Sequence, residues 1–264
     1  MALSLTPLFS GSSGNAILIS SGTTHVLVDA GVSGRRIEEA MHSIGQDIRE
    51  IKGILITHEH SDHIAGAGIL SRKHDIPVYA TASTWEACSD KLGNVQSRFT
   101  RVIGKTGFYI DDLLIEPNDI PHDAADPVGY CVSCGNRRIG IATDLGYFPK
   151  ALEIKLQACD LVLLESNHDL SMLESGRYPR ALKERIRSRR GHLSNDDAAD
   201  AAVRLACAGV SSILLGHLSK ENNSEQLAFR TVTDALIAQG LTPGHDVSLG
   251  LAFRDRVTGV FHIK

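Results

Sequence analysis

The chain has 264 residues, room for one large α/β domain or two small ones. No stretch approaches the eighteen or so uninterrupted apolar residues of a membrane span, and no basic-then-apolar leader opens the sequence, so neither a membrane anchor nor an export signal is expected. A net charge of −4 excludes a surface that attracts nucleic acid as a whole.

The first third reads as strands with helices between them. Ala16 to Ser20 and His25 to Asp29 flank the turn Ser21-Gly22-Thr23-Thr24, a hairpin pattern. Ser33 can cap a helix running to Ser43, which Gly45 ends. Gly53 to Thr57 reads as a short buried strand, and a helix is expected from Ser61 or Asp62 through Lys73. Pro77 to Ala80 predicts a strand and Thr84 to Leu92 a helix. Strands dominate from Arg101 to Ile141, over Phe108–Ile110, Leu113–Pro117, Gly129–Ser133 and Arg138–Thr143. Leu161 to Glu165 is another buried strand. Ser194 begins a helix to Ala208, with Asp197 placed for a capping box. Ser212 to Gly216 predicts a strand, Ser224 to Gln239 a helix, and Leu249–Arg254 with Gly259–Ile263 a last hairpin. Strands precede helices in both halves. An α/β (α+β) fold accommodates this, as an αββα four-layer sandwich of two mixed β-sheets flanked by helices in one domain, residues 1–264.

Five scattered cysteines, Cys88, Cys131, Cys134, Cys159 and Cys207, predict reduced thiols and a cytoplasmic location. Cys131 and Cys134 form a lone C-x-x-C with no second pair for a structural zinc, and read as strand residues.

The densest chemistry is His58-Glu59-His60-Ser61-Asp62-His63, three imidazoles and a carboxylate directly after the strand ending at Thr57. H-x-H-x-D-H arises by chance in roughly two of a thousand chains of this make-up. Asp29, His122, Asp144 and His217 also stand just after short apolar strands. Strand ends gather at one rim of a sheet, so residues far apart in sequence can converge. Imidazole and carboxylate together suit zinc, manganese or iron. Seven such ligands exceed one tetrahedral ion and suit two ions sharing a bridging carboxylate. Two ions a few Å apart can hold a hydroxide, lower its pKa and clamp an in-line displacement.

The set Asp29, His58-x-His60-x-Asp62-His63, His122, Asp144 and His217 resembles the five motifs of the metallo-β-lactamase superfamily, in order and over nearly the whole length. The resemblance implies that His58, His60 and His122 hold a first metal, that Asp62, His63 and His217 hold a second, and that Asp144 bridges them. It makes Asp29 a carboxylate that orients the loop after the first histidines, not a ligand. The segments Phe9–Asn15, Glu165–Asp169, Gly176–Pro179, Gly191–Asn195 and Leu218–Asn223 resemble the WalJ/YycJ-type branch, which implies 5′→3′ exonuclease activity on DNA ends. They are also similar to tRNase Z. The chain lacks room for the β-CASP insert of RNase J and shows no long tRNA-binding arm. A thioesterase or lactamase on the same site is the other alternative, though neither needs a basic run.

That run is Arg177, Arg180, Lys183, Arg185, Arg187, Arg189 and Arg190. If the segment is helical, Arg180, Lys183 and Arg187 share a face able to hold a nucleic-acid backbone. The N-terminus of the Ser194-capped helix, with Ser194 and Asn195, offers N–H groups to phosphate. In the expected mechanism Asp62 holds or accepts the water proton, and His192 stabilises the phosphorane charge or protonates the leaving oxygen. His168 is either a substrate contact or a structural histidine. The expected cofactors are therefore two divalent ions (Zn, Mn or Fe), and the expected partner is DNA. No protein partner is evident; a homo-oligomer is left open.

Overall fold

The computed structural model describes residues 3–263. Strands β1 (Leu3–Phe9), β2 (Ala16–Ser20) and β3 (His25–Val28) lead to helix α1 (Gly34–Ser43) and strand β4 (Ile51–Leu55). Then come α2 (Ser61–Ile64), α3 (Ala67–His74), β5 (Val78–Thr81), α4 (Ala82–Leu92), β6 (Thr100–Ile103), β7 (Phe108–Ile110), β8 (Leu113–Asp119), β9 (Val128–Cys134) and β10 (Arg137–Ala142). The rest is α5 (Lys150–Leu156), β11 (Leu161–Glu165), α6 (Leu170–Ser175), α7 (Arg180–Ile186), α8 (Asn195–Cys207), β12 (Ser212–Gly216), α9 (Glu225–Ala238), β13 (Ser248–Leu251) and β14 (Phe261–Ile263). These elements divide between two compact units. The first comprises Met1–Asp119, Ala124–Arg137 and Phe253–Lys264, the second Ile120–Asp123 and Arg138–Ala252.

In the first unit a sheet runs in the order β14-β1-β2-β3-β4-β5-β6. Its β1–β2–β3 edge is antiparallel, and β3 through β6 are parallel. A parallel strand is covered on both faces, which is why Gly53 to Ile56 read as a continuous apolar run. One core joins Leu18, Leu27, Ile54 and Val78 of this sheet with Ile37 and Met41 of α1, Leu70 of α3 and Leu92 of α4. Each such side chain contributes about 2 kcal/mol on burial. β7, β8 and β9 form an antiparallel meander in the same unit. Tyr130 of β9 is fully buried and donates its hydroxyl to the Ile56 carbonyl at 2.7 Å, fixing the strand that carries the histidine run.

In the second unit β10, β11, β12 and β13 are all parallel. β11 is buried at every residue. α8 has the expected capping box, with the Ser194 and Asp197 side chains each accepting from the other's backbone N–H, and it buries an alanine face over Ala198, Ala199, Ala201 and Ala202.

Some expectations are corrected. β13 and β14 are not a hairpin: β13 pairs parallel with β12 and β14 antiparallel with β1. The helix expected from Ser61 through Lys73 is two helices. At the break Gly66 N–H donates to the Ala30 carbonyl at 2.7 Å, and a Cβ there would lie 2.4 Å from the Val32 carbonyl oxygen. That close approach of backbone to backbone stops the first helix. Ser33 precedes α1 without a side-chain capping bond. The short helices α5 and α6 and strand β1 were outside the sequence reading.

The same packing sets Asp62. Ala30 N–H donates to the His63 carbonyl at 2.8 Å, and Asn15 N–H to the Asp62 carbonyl at 2.8 Å. A Cβ on Gly31 would fall 1.6 Å from that Asp62 oxygen. Gly31→Ala is therefore expected to displace the Asp62 loop and destabilise the fold by about 3 kcal/mol, read as a lower midpoint in urea. A midpoint equal to wild type would show that the loop yields freely.

Candidate metal centre and active site

Three candidate residues sit in the left-handed region, which non-glycine residues seldom adopt: Asp29 (φ 61°), Asp144 (φ 62°) and His217 (φ 54°). Each ends a strand with a backbone reversal that swings its side chain off the strand line. Such conformations persist where surrounding contacts over-determine them, and they gather at working sites.

In the first unit β3 delivers Asp29 and β4 delivers Thr57 to His63. Asp29 is buried. Its Oδ1 accepts from Thr57 N at 2.9 Å, and its Oδ2 accepts from His63 Nδ1 at 2.7 Å. Burial pushes the Asp29 carboxyl up, against the lowering pull of His63 and Thr57. Because the carboxylate can only accept, His63 carries its hydrogen on Nδ1 and leaves a lone pair on Nε2. Asn15 Nδ2 accordingly points at that Nε2, 3.1 Å away, with its Oδ1 held by Gly11 N–H. Asp62 Oδ2 lies 3.6 Å from the same Nε2. His58 Nε2 and His60 Nδ1 face each other at 3.1 Å, and the His58 and His63 rings are 4.0 Å apart. So Asp29 binds Thr57 and His63 through its carboxylate oxygens, while His58, His60, Asp62 and His63 present clustered N and O donors.

In the second unit His122, Asp144, His192 and His217 come together. Asp144 Oδ2 is 3.1 Å from His217 Nδ1, and its Oδ1 is 3.8 Å from His122 Nε2 and 3.7 Å from His192 Nδ1. His122 Nδ1 donates to the Gly191 carbonyl at 3.1 Å, which leaves Nε2 as the lone-pair nitrogen facing Asp144. Burial pushes the His122 imidazole below its ordinary value, so the ring is neutral, the form a metal needs. Gly191 is required here, since a Cβ would meet the Ile186 carbonyl at 2.1 Å.

Sequence reading missed one member. Glu165, at the end of β11 and fully buried, accepts from His192 Nδ1 at 2.8 Å with Oε1, and from Leu145 N and Leu193 N at 2.6 and 3.2 Å with Oε2. Ligand atoms of Asp144, Glu165, His192 and His217 all lie within 4.8 Å of one another. The signal was available in Glu165's place at a strand end beside Ser166-Asn167-His168. Both donor sets, borderline imidazoles with hard carboxylates, fit zinc, manganese or iron.

Other candidates have structural employment. The Asn195 side chain is fully buried, accepting from Ser166 Oγ and donating to Asn223 Oδ1. The start of α8 is not an open anion site: Asn195 N–H is taken by the His168 carbonyl, Asp197 N–H by Ser194 Oγ, and Ser194 N–H by Asp197 Oδ2. Asp196 and Asp197 also stand in its first turn. The basic run is partly spent. Arg180 pairs with Glu184, Arg187 with Glu174, and Arg185 with Asp123, and Lys183 donates to the Glu174 carbonyl. α7 ends at Ile186, so Arg187 caps the helix instead of continuing its face.

His168 is 1% exposed, and burial lowers its imidazole from 6.5 to about 4. Its Nδ1 has no hydrogen-bond partner among the described residues. The folded protein thus resists protonating this ring while the unfolded chain accepts the proton near 6.5, so stability is full above pH 6.5 and falls as pH drops towards 4. The loss is on the order of 3 kcal/mol at the low end. Denaturant midpoints between pH 7 and 4 should fall less steeply in His168→Gln; equal slopes would sink the assignment.

Residues 24–218 match the Beta-lactamase superfamily domain, a span that holds every candidate ligand. The chain belongs to the metallo-β-lactamase superfamily. Its αββα fold agrees with that membership. A metallo-β-lactamase fold protein of Bacillus subtilis, YhfI, superposes with a TM-score of 0.73 over 100% of both chains, at 15% identity. Among curated relatives, a Bacillus anthracis protein named exodeoxyribonuclease YycJ is 38% identical over 92% of this chain and 93% of its own. A Streptococcus pneumoniae protein named exodeoxyribonuclease WalJ is 40% identical over 90% of each. Membership of the WalJ/YycJ-type branch places this metallo-β-lactamase superfamily chain among the metal-dependent hydrolases.

Proposed function

We propose that this protein is a 5′→3′ DNA exonuclease, hydrolysing phosphodiester bonds at two divalent ions. His58, His60 and His122 would hold one ion, Asp62, His63 and His217 the other, with Asp144 shared. Ions held so would supply Lewis acidity at phosphorus and charge neutralisation of a phosphate. The near-full-length likeness to proteins named exodeoxyribonucleases carries the reading.

The chain's own residues supply the rest. Asp62 is a quarter exposed, the most accessible carboxylate of the set, and is suited to take the proton of the attacking water. His192 has 16% of its side chain exposed, whereas His122 and His217 are shut in at 1%. With Nδ1–H held by the Glu165 carboxylate, the ring would act as an imidazolium, its second hydrogen on Nε2 facing the substrate, to protonate the leaving oxygen or to steady charge on phosphorus. Arg180, Lys183 and Arg187 serve the DNA backbone; their exposed pairs are worth at most about 1 kcal/mol each, so phosphates can displace them.

The test uses metal-loaded protein with 5′- and 3′-labelled oligonucleotides, a pre-tRNA and a thioester. Mononucleotides released from the 5′ end alone are expected. Turnover confined to the RNA or the thioester overturns the reading. Lys183→Ala is expected to weaken DNA binding at every sequence alike and to flatten the plot of log affinity against log salt by about one. An unchanged slope removes Lys183 from the DNA path.

A further inference from the structure

His217 directly follows β12 and stands in the left-handed conformation, at φ 54°. The neighbouring backbone bonds straddle it: Ser166 N–H donates to the Gly216 carbonyl at 2.9 Å, and Ser219 N–H to the Asn167 carbonyl at 2.8 Å. The side chain of Asn167, 3% exposed, reaches the His217 carbonyl between them, with Nδ2 donating to its oxygen at 2.9 Å.

Asn167 is itself fixed from three sides. Its N–H donates to the Leu193 carbonyl at 3.0 Å, beside His192. Its carbonyl accepts from Ser219 N and from Asn223 Nδ2, the latter at 3.0 Å. Asn223 Nδ2 reaches the Ser166 carbonyl as well, at 2.8 Å, and the Asn195 and Asn223 amides bond reciprocally, Nδ2 to Oδ1 in each direction. Ser166 Oγ closes the frame by donating to Asn195 Oδ1 at 2.7 Å. A buried amide network of this kind rigidifies its members and favours one geometry.

We infer that Asn167 is a positioning residue for His217, and that the Asn195–Asn223–Ser166 frame aims the His217 imidazole for metal through it. This rests on the proposed ligand role of His217. The chemistry demands asparagine: an aspartate of the same shape would set a carboxylate oxygen against the His217 carbonyl and repel it. Outer partners of metal ligands typically carry ten- to a hundredfold in metal affinity, about that much being expected here.

The test compares Asn167→Asp with wild type by metal content after dialysis and by titration against a chromophoric chelator, with the circular dichroism spectrum as the check on folding. The variant should keep the first equivalent of metal and lose the second by about ten- to a hundredfold, with kcat falling and KM held. Ser166→Ala, which removes only the outermost bond of the frame, should fold in any case and weaken the second equivalent severalfold. If both equivalents in Ser166→Ala, and in Asn167→Asp where it folds, stay within twofold of wild type while the melting temperature drops, the frame is merely structural and the inference fails. If wild type itself binds no second equivalent, the two-ion reading falls instead.

Discussion

Asp144→Asn is expected to fold as wild type does and to lose nuclease turnover by far more than the hundredfold or so seen when an outer partner of a metal ligand is removed. Asparagine tolerates the left-handed backbone at φ 62°, so the β10 end keeps its course. What goes is the negative charge. Asp144 is 2% exposed and is ringed by the imidazoles of His122, His192 and His217 at 3.1 to 3.8 Å, and the neighbouring Glu165 carboxylate is held by His192, Leu145 and Leu193. A neutral amide there would turn an N–H or a weaker acceptor towards the nitrogens, and metal content should drop together with rate. Elemental analysis paired with initial rates on end-labelled DNA checks both. Treating the native protein with a chelator should abolish activity in the same way, and the ion among zinc, manganese and iron that restores it names the resident metal. Full activity in Asp144→Asn would remove the carboxylate from the mechanism.

How much of this was legible in the sequence depends on where each signal resides. β11 and β12 could be bounded to the residue, because a buried parallel strand is a short apolar run with polar residues immediately after it. The start of α8 was equally plain, since a capping box is written in residues three apart. The break between α2 and α3 was not: it comes from Val32 and Ala30 pressing on Gly66, more than thirty residues away in sequence. The last two strands read as a hairpin since proximity in sequence favours it, yet β14 finds its partner in β1. At the site, His58 to His63 announced themselves by density, and Asp29, Asp144 and His217 by standing at the ends of strands. The basic run misled in part, because Glu174 and Asp123, which neutralise Arg187 and Arg185, lie outside it. Glu165 escaped because its signal, a strand-end glutamate beside Ser166-Asn167-His168, does not tell which imidazole it meets until β11 sets it against His192.

That role gives the second large effect. Glu165→Gln is expected to lower kcat by about a thousandfold with KM little changed, as befits loss of an interaction that matters only in the transition state. Oε2 is pinned by two backbone N–H groups, from Leu145 and Leu193, so the glutamine must place its oxygen there. Its NH2 then faces His192 Nδ1, a position now filled by a donor hydrogen of the ring. To avoid two donors in opposition His192 must move its hydrogen to Nε2 or swing away. Either change disfavours the imidazolium, which needs hydrogens on both nitrogens and the Glu165 carboxylate against Nδ1. Folding should survive, because shape and both backbone bonds are retained. A leaving group that departs without a proton, such as p-nitrophenolate from a thymidine 5′-ester, should rescue the variant far more than it speeds wild type if His192 acts as the acid. Equal sensitivity of both to that leaving group would mean His192 works by charge alone.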